Sequence, residues 1–272
     1  MIDALRYEVL RLRTIRSTFW LIGIALVFQL LISMLIAWLF PDSGPLSGGD
    51  DAFSILVTAG ASLGVAPLFI AYVMGLLGVF SMGHEYRHGM IRATLTALPS
   101  RISVLAAKMV TIATASVVVA FVCSLLSLLS AAVFDVDPPS FIGWRDITLG
   151  IVLFTGLFAL SGLAIATITR NQTVAVALVL LLPTVVESII KTIVLAIKVS
   201  SDDPGSTGGV ASFVRFLPYD AGGQMYTRIS IGKMLEIFGI IPLGPVGGGL
   251  VMASFVAILL ALGGWLFVRR DA

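Results

Sequence analysis

Charge is what this 272-residue chain has least of: 12% of its residues are Asp, Glu, Lys or Arg, roughly half the share of a soluble domain. Histidine occurs twice and cysteine once. The lone Cys123 forbids an internal disulfide. With 17 basic against 15 acidic residues the net charge is +2, which leaves no basic surplus for a nucleic acid. In place of charge there is apolar sequence, 58% of the chain, with a mean hydropathy of +1.06. That balance excludes a soluble enzyme and a disordered protein as first readings. It leaves a membrane protein whose few charges must be read one at a time.

A helix needs about 20 apolar residues to cross the hydrocarbon core. Six stretches suffice: 19–40, 56–82, 109–134, 147–168, 173–195 and 246–268. They are apolar nearly all round, unlike the core helices of a soluble fold. The expected fold is an all-α membrane protein, a single transmembrane domain over 1–272 with six transmembrane helices. The first run is too long for a signal-peptide core and meets Pro41 and Asp42 without a small-x-small pattern, so it reads as a retained anchor. Of the 17 basic residues, 11 fall on one side: Arg6, Arg11, Arg13, Arg16, then Arg87, Arg92, Arg101, Lys108, then Arg170, Arg269 and Arg270, with Arg145 and several bases of the long 200–245 connection on the other. The intervening loops carry Asp42, Asp50 and Asp51, and later Asp135, Asp137 and Asp146. By the positive-inside rule both termini are cytoplasmic.

Three segments lie between these runs. In residues 1–16, Ile2, Leu5, Val9 and Leu12 recur at helical spacing, which predicts an amphipathic interfacial helix on membrane lipid, with an ordinary basic flank as the alternative. Residues 83–108 are polar and long for a turn. Met90, Ile91, Leu95 and Leu98 can form one face of a short helix ended by Pro99, and Ser100 can cap the next. Such a helix, flanked by Arg92 and Arg101, is either a docking element for a soluble partner or a membrane-surface helix. Residues 200–245 combine a flexible linker at 200–209 with apolar pieces that read as extracellular or re-entrant.

Few motifs carry chemistry. His84-Glu85-Tyr86-Arg87-His88 matches H-E-x-x-H, in which two histidines hold zinc and the glutamate is a general base. A membrane-embedded zinc metallopeptidase is therefore the alternative reading. It lacks a third histidine, and the carboxylates on the same side, Asp3, Glu8 and Asp271, form no ligand motif. The expected partners of Glu85 are instead Arg87, Arg92 or another base of this loop. No G-x-x-x-x-G-K-[ST] occurs, so an ATP-driven motor would be another polypeptide. Glu187 and Lys191 sit four apart in the fifth span, with Lys198 beyond. They read either as an ion pair snorkelling outward or as an outer gate or substrate path. Pro183 can kink the helix before them. Gly60 and Gly64 form G-x-x-x-G, suited to close packing within the bundle or across a dimer.

Together these features resemble the type-2 ABC transporter permeases, the exporter-like transmembrane subunits. The most specific residues run from Phe80-Ser81-Met82-Gly83-His84-Glu85 through Arg92-Ala93-Thr94-Leu95 and Leu98-Pro99-Ser100-Arg101 to Lys108. Phe216-Leu217-Pro218-Tyr219-Asp220 with Gly222-Gly223 is similar to the family's segment before its last span. The resemblance implies a coupling helix within 85–101 that docks on a separate ATP-binding subunit through Glu85, Arg87, Arg92, Leu95 and Arg101. It also implies a second permease copy, a substrate path between the two, and a bacterial inner membrane. ATP and Mg would be bound by the partner subunit, with no catalytic residue, metal or cofactor in this chain. The H-E-x-x-H match then becomes a coincidence around the glutamate.

Overall fold

The computed structural model describes residues 2–39, 49–57, 69–97, 100–200, 213–226 and 243–269, and every regular element among them is helical. Among the described residues, five helical stretches are long and apolar enough to cross a membrane: Thr18–Leu39, Arg101–Val133, Phe141–Thr169, Gln172–Val194 and Gly244–Arg269. The protein is an all-α, multi-pass membrane protein. In chain order the helices are α1 (Ile2–Thr14), α2 (Arg16–Leu39), α3 (Gly49–Val57), α4 (Phe69–Arg87), α5 (Ile91–Ala97), α6 (Arg101–Val133) and α7 (Phe141–Thr169). There follow α8 (Gln172–Leu181), a π-helical turn (Leu182–Val186), α9 (Glu187–Ser200), a 3-10 turn (Val214–Phe216), α10 (Pro218–Gly223) and α11 (Gly244–Arg269).

Of the expected second span, 56–82, residues 58–68 lie outside the described residues; Leu56 and Val57 belong to α3, and α4 runs from Phe69 to Arg87. Gln29 on α2 ties α3 into the bundle. Its Nε2 donates to the carbonyls of Leu56 and Val57, each at 3.2 Å, and all three residues are buried. A buried amide needs such acceptors where water is excluded. A polar seam continues along α6, where Ser130 meets Ser33 at 2.7 Å and Ser124 meets Thr148 at 2.7 Å.

The centre of the bundle is the pair α4 and α7. A Cβ on Gly78 would strike the Ala159 carbonyl, and one on Gly162 would strike the Gly75 carbonyl. The two backbones therefore touch, as small residues allow in lipid. Phe154, Phe158, Met74 and Leu163 fill the space around that contact, all wholly buried. Gly60 and Gly64 lie outside the described residues; the close approach that is described uses other glycines of the same expected span.

Local signals set the helix boundaries. Ser100 caps α6 by accepting from Ser103 N at 3.3 Å, and Asn171 caps α8 by accepting from Thr173 N and Val174 N. Ser140 caps α7 and is itself held by Asp50, which accepts from its N at 2.7 Å and its Oγ at 3.0 Å. Gly89, at φ 65°, closes α4 and turns the chain into α5. Pro183, which has no N–H to give, sits in the π-helical turn that precedes Glu187. Pro99 and Leu98 fall outside the described residues. The result is a bundle with a basic end, holding α1, α5 and the adjoining ends of α4, α6 and α11, and an acidic end with α3 and the start of α7.

Candidate functional site

At the basic end, α6 carries Lys108 on its inward face with Val104 and Thr111, seven residues past its first residue, Arg101. An ammonium there needs carboxylates, and it has two. Lys108 Nζ lies 2.6 Å from Glu8 Oε1 and 2.5 Å from Glu85 Oε1, and donates to Ser81 O at 3.0 Å. All three of its donors are thus engaged. Arg11 Nη1 reaches the same Glu85 oxygen at 2.7 Å and the same Ser81 carbonyl at 2.8 Å, and lies 3.6 Å from Glu8 Oε2. Lys108 and Glu85 are 0% exposed and Glu8 is 3% exposed. Two carboxylates and two cations make a neutral cluster, the form in which buried charge is tolerated. It joins α1, α4 and α6 at one point.

Of the bases expected for Glu85, it pairs with neither Arg87 nor Arg92 but with another base of the 83–108 segment, Lys108, and also with Arg11 of α1. The face of α1 that meets the protein is Ala4, Glu8 and Arg11, whereas Ile2 and Val9 are exposed on the opposite side. The apolar stripe is divided: Leu12 packs against the core and Leu5 is half-buried, while Ile2 and Val9 stay exposed.

The remaining loop residues fall in different places. Arg87 and Arg92 are exposed, Ile91 is buried and Leu95 is half-buried against the core. Arg101 donates to the last carbonyls of α11, Phe267 O at 3.1 Å and Val268 O at 3.3 Å. A cation is favoured at such a helix end. Beyond the apolar part of α4, His84 stacks on Phe80 with ring centroids 5.0 Å apart. Burial, with Arg11, His88 and Arg87 adding to it, lowers its pKa below the ordinary histidine value. Glu85, the general base of the zinc reading, is tied to two cations, and no group of three potential metal ligands occurs among the described residues. The H-E-x-x-H match has no zinc-site geometry around it.

A second polar cluster lies on the other side of the π-helical turn. Glu187 does not snorkel outward, nor does it pair with Lys191. It is buried, and its two oxygens accept from Tyr219 N at 2.9 Å and Asp220 N at 2.8 Å. These are free amides of the first turn of α10, so a carboxylate from α9 caps a helix 32 residues later. Lys191 Nζ pairs with Asp220 Oδ1 at 2.7 Å. Tyr219 OH reaches Ser161 Oγ on α7 at 3.2 Å, and its ring meets Phe158 and Phe255. A Cβ on Gly248 of α11 would strike the Ala221 carbonyl of α10, which is how this short helix fits between α7 and α11. Lys198, like the 200–209 linker and the apolar pieces after 226, contributes no described side chain.

Sequence reasoning missed Glu8, Arg11 and Asp220 as partners. One signal was available: Lys108 is followed and preceded by Leu105, Ala106, Ala107, Met109 and Val110, and an ammonium in such a run requires a carboxylate. The family model described as "ABC-2 family transporter protein" matches residues 4–186. The match covers Glu8, Arg11, Glu85 and Lys108 and ends one residue before Glu187. No curated protein matches the chain.

Proposed function

Because the chain belongs to the ABC-2 family of transporter proteins, we propose that it is the permease subunit of an ATP-driven exporter. In this reading it lies in a bacterial inner membrane with its basic end and both termini in the cytoplasm. A separate ATP-binding subunit, which holds ATP and Mg, docks at α5 through exposed Arg92 and Arg87, with Leu95 seating α5 against the bundle. A second permease copy completes the path for the cargo.

The observation that carries the reading is the ionic cluster. The helix α5 hangs between the end of α4 and the start of α6, and the cluster fixes those two helices to each other and to α1. A displacement of α5 by a partner cannot be absorbed by the two helices splaying apart, since that would separate buried charges. It moves α1, α4 and α6 as one body, which is the rigid-body movement an ATP-driven cycle needs. Arg101 extends the same body to α11.

Co-purification of the full chain with an ATP-binding subunit tests this. Arg92→Glu is expected to lower recovery of that subunit at least tenfold while the permease keeps its thermal stability. Recovery unaffected by Arg92→Glu, or dependence on bound zinc in place of ATP, would overturn it.

A further inference from the structure

Between α7, α10 and α11 lies a cleft of about 650 Å3, within the size range of small-molecule sites, ~300–1,000 Å3. Leu149, Leu153 and Leu157 form one wall, and Val246, Leu250 and Ala253 the other. Leu149, Leu153, Val246 and Leu250 are exposed, so the cleft opens sideways on an uncovered apolar flank of the bundle. Its end toward the membrane boundary holds Asp146, paired with Arg145 at 2.9 Å. Along its depth, Leu149 to Leu157 spans about 12 Å of helix. On the inner wall is Gln224, at the end of α10. It is 7% exposed, and neither Nε2 nor Oε1 has a hydrogen-bond partner. A buried amide bare at both ends is rare in native proteins and calls for a partner.

We propose that this cleft binds one acyl-chain lipid of the surrounding membrane. The chain lies between α7 and α11, and Gln224 bonds the polar linkage at its head, donating from Nε2 to an ester carbonyl and accepting at Oε1 from a lipid hydroxyl. The polar end of the cleft lies at the Arg145–Asp146 pair and the apolar end at Leu157 and Ala253, which is the polarity of a lipid standing in its own leaflet. Lipid tails are as apolar as leucine, so the chain gains little by leaving the bilayer. Preference for the cleft therefore rests on Gln224, whose hydrogen bonds have no competing water. The site is on the flank of the bundle and stands whether or not the chain works as an exporter.

The test is native mass spectrometry of the full chain released from mild detergent, with palmitoyl-oleoyl phosphatidylglycerol as the probe. The chain is expected to retain one lipid. Ala253→Phe, which fills the cleft, abolishes retention, as does Leu153→Trp at its open side. Gln224→Leu lowers retention about tenfold without lowering the thermal midpoint, because removing an unpaired buried amide is neutral or stabilising. A wild-type chain that retains no stoichiometric lipid overturns the proposal. So does equal retention by Gln224→Leu, or by both cleft-filling variants.

Discussion

Lys108 on α6 and Glu85 on α4 meet at 2.5 Å with neither side chain exposed. Such a pair is no simple source of stability, since desolvating two ions offsets most of their attraction. Its effect is on geometry. The charges are satisfied only when α4 and α6 hold one register, and only when α1 brings Glu8 and Arg11 to the same point.

Removing one cation should show this directly. Lys108→Met leaves Glu8 and Glu85 sharing Arg11, a buried site with one uncompensated negative charge. The expected loss is ~3–5 kcal/mol, read as a lower thermal midpoint in detergent. Adding Glu85→Gln restores neutrality, because Glu8 and Arg11 then balance, and most of the loss should return. A single variant as stable as the wild type would contradict the arrangement.

The contact between α4 and α7 makes a sharper steric prediction. Gly78→Ala puts a methyl on the Ala159 carbonyl and should cost about 1–3 kcal/mol through forced separation of the helices. Gly156→Ala, on α7 but with no atom within 4 Å of the added Cβ, is the control. There the gain of a better helix former, roughly 0.5–1 kcal/mol, should dominate. Thermal unfolding of the two variants in parallel distinguishes packing from propensity.

The membrane class and the all-α fold were legible from hydropathy, because a helix in lipid is recognised by length and apolarity alone. The capping roles of Ser100 and the break near Pro183 were legible too, since each acts on its own neighbours. What the chain hid was pairing at long range. Glu85 has Arg87 two residues away, yet its partners are 74 residues before and 23 after. Glu187 has Lys191 one turn on, yet it caps a helix 32 residues later. Local spacing ranks nearby charges first, whereas burial selects whichever charge the fold brings inside. The tie between α2 and α3 was missed for the same reason: Gln29, an isolated amide in an otherwise apolar run, reaches the Leu56 and Val57 carbonyls.

Glu187 provides a graded test of the second cluster. Its two oxygens accept one amide each, and hydrogen bonds to a charged group contribute ~1.5–3 kcal/mol apiece. Glu187→Ala should raise hydrogen exchange at the Tyr219 and Asp220 amides at least tenfold. Glu187→Gln keeps one acceptor oxygen and should fall between the two. Exchange unchanged in both variants would mean that Leu217 and Pro218 alone hold α10 in place.

Arg101 and Arg92 were grouped by sequence as neighbours in one basic loop, and their surroundings now separate them. Arg101 donates to two carbonyls at the end of α11, so its loss should be felt as stability, about 1 kcal/mol per bond. Arg92 is exposed on α5, and its reversal should be felt by a docked partner. Arg101→Ala is therefore expected to lower the thermal midpoint while an ATP-binding subunit still co-purifies, and Arg92→Glu to do the opposite. If Arg101→Ala instead loses the partner at full stability, the guanidinium serves docking directly and the tie to α11 is incidental. The two readouts are independent, because one guanidinium is tied to α11 and the other lies exposed on α5.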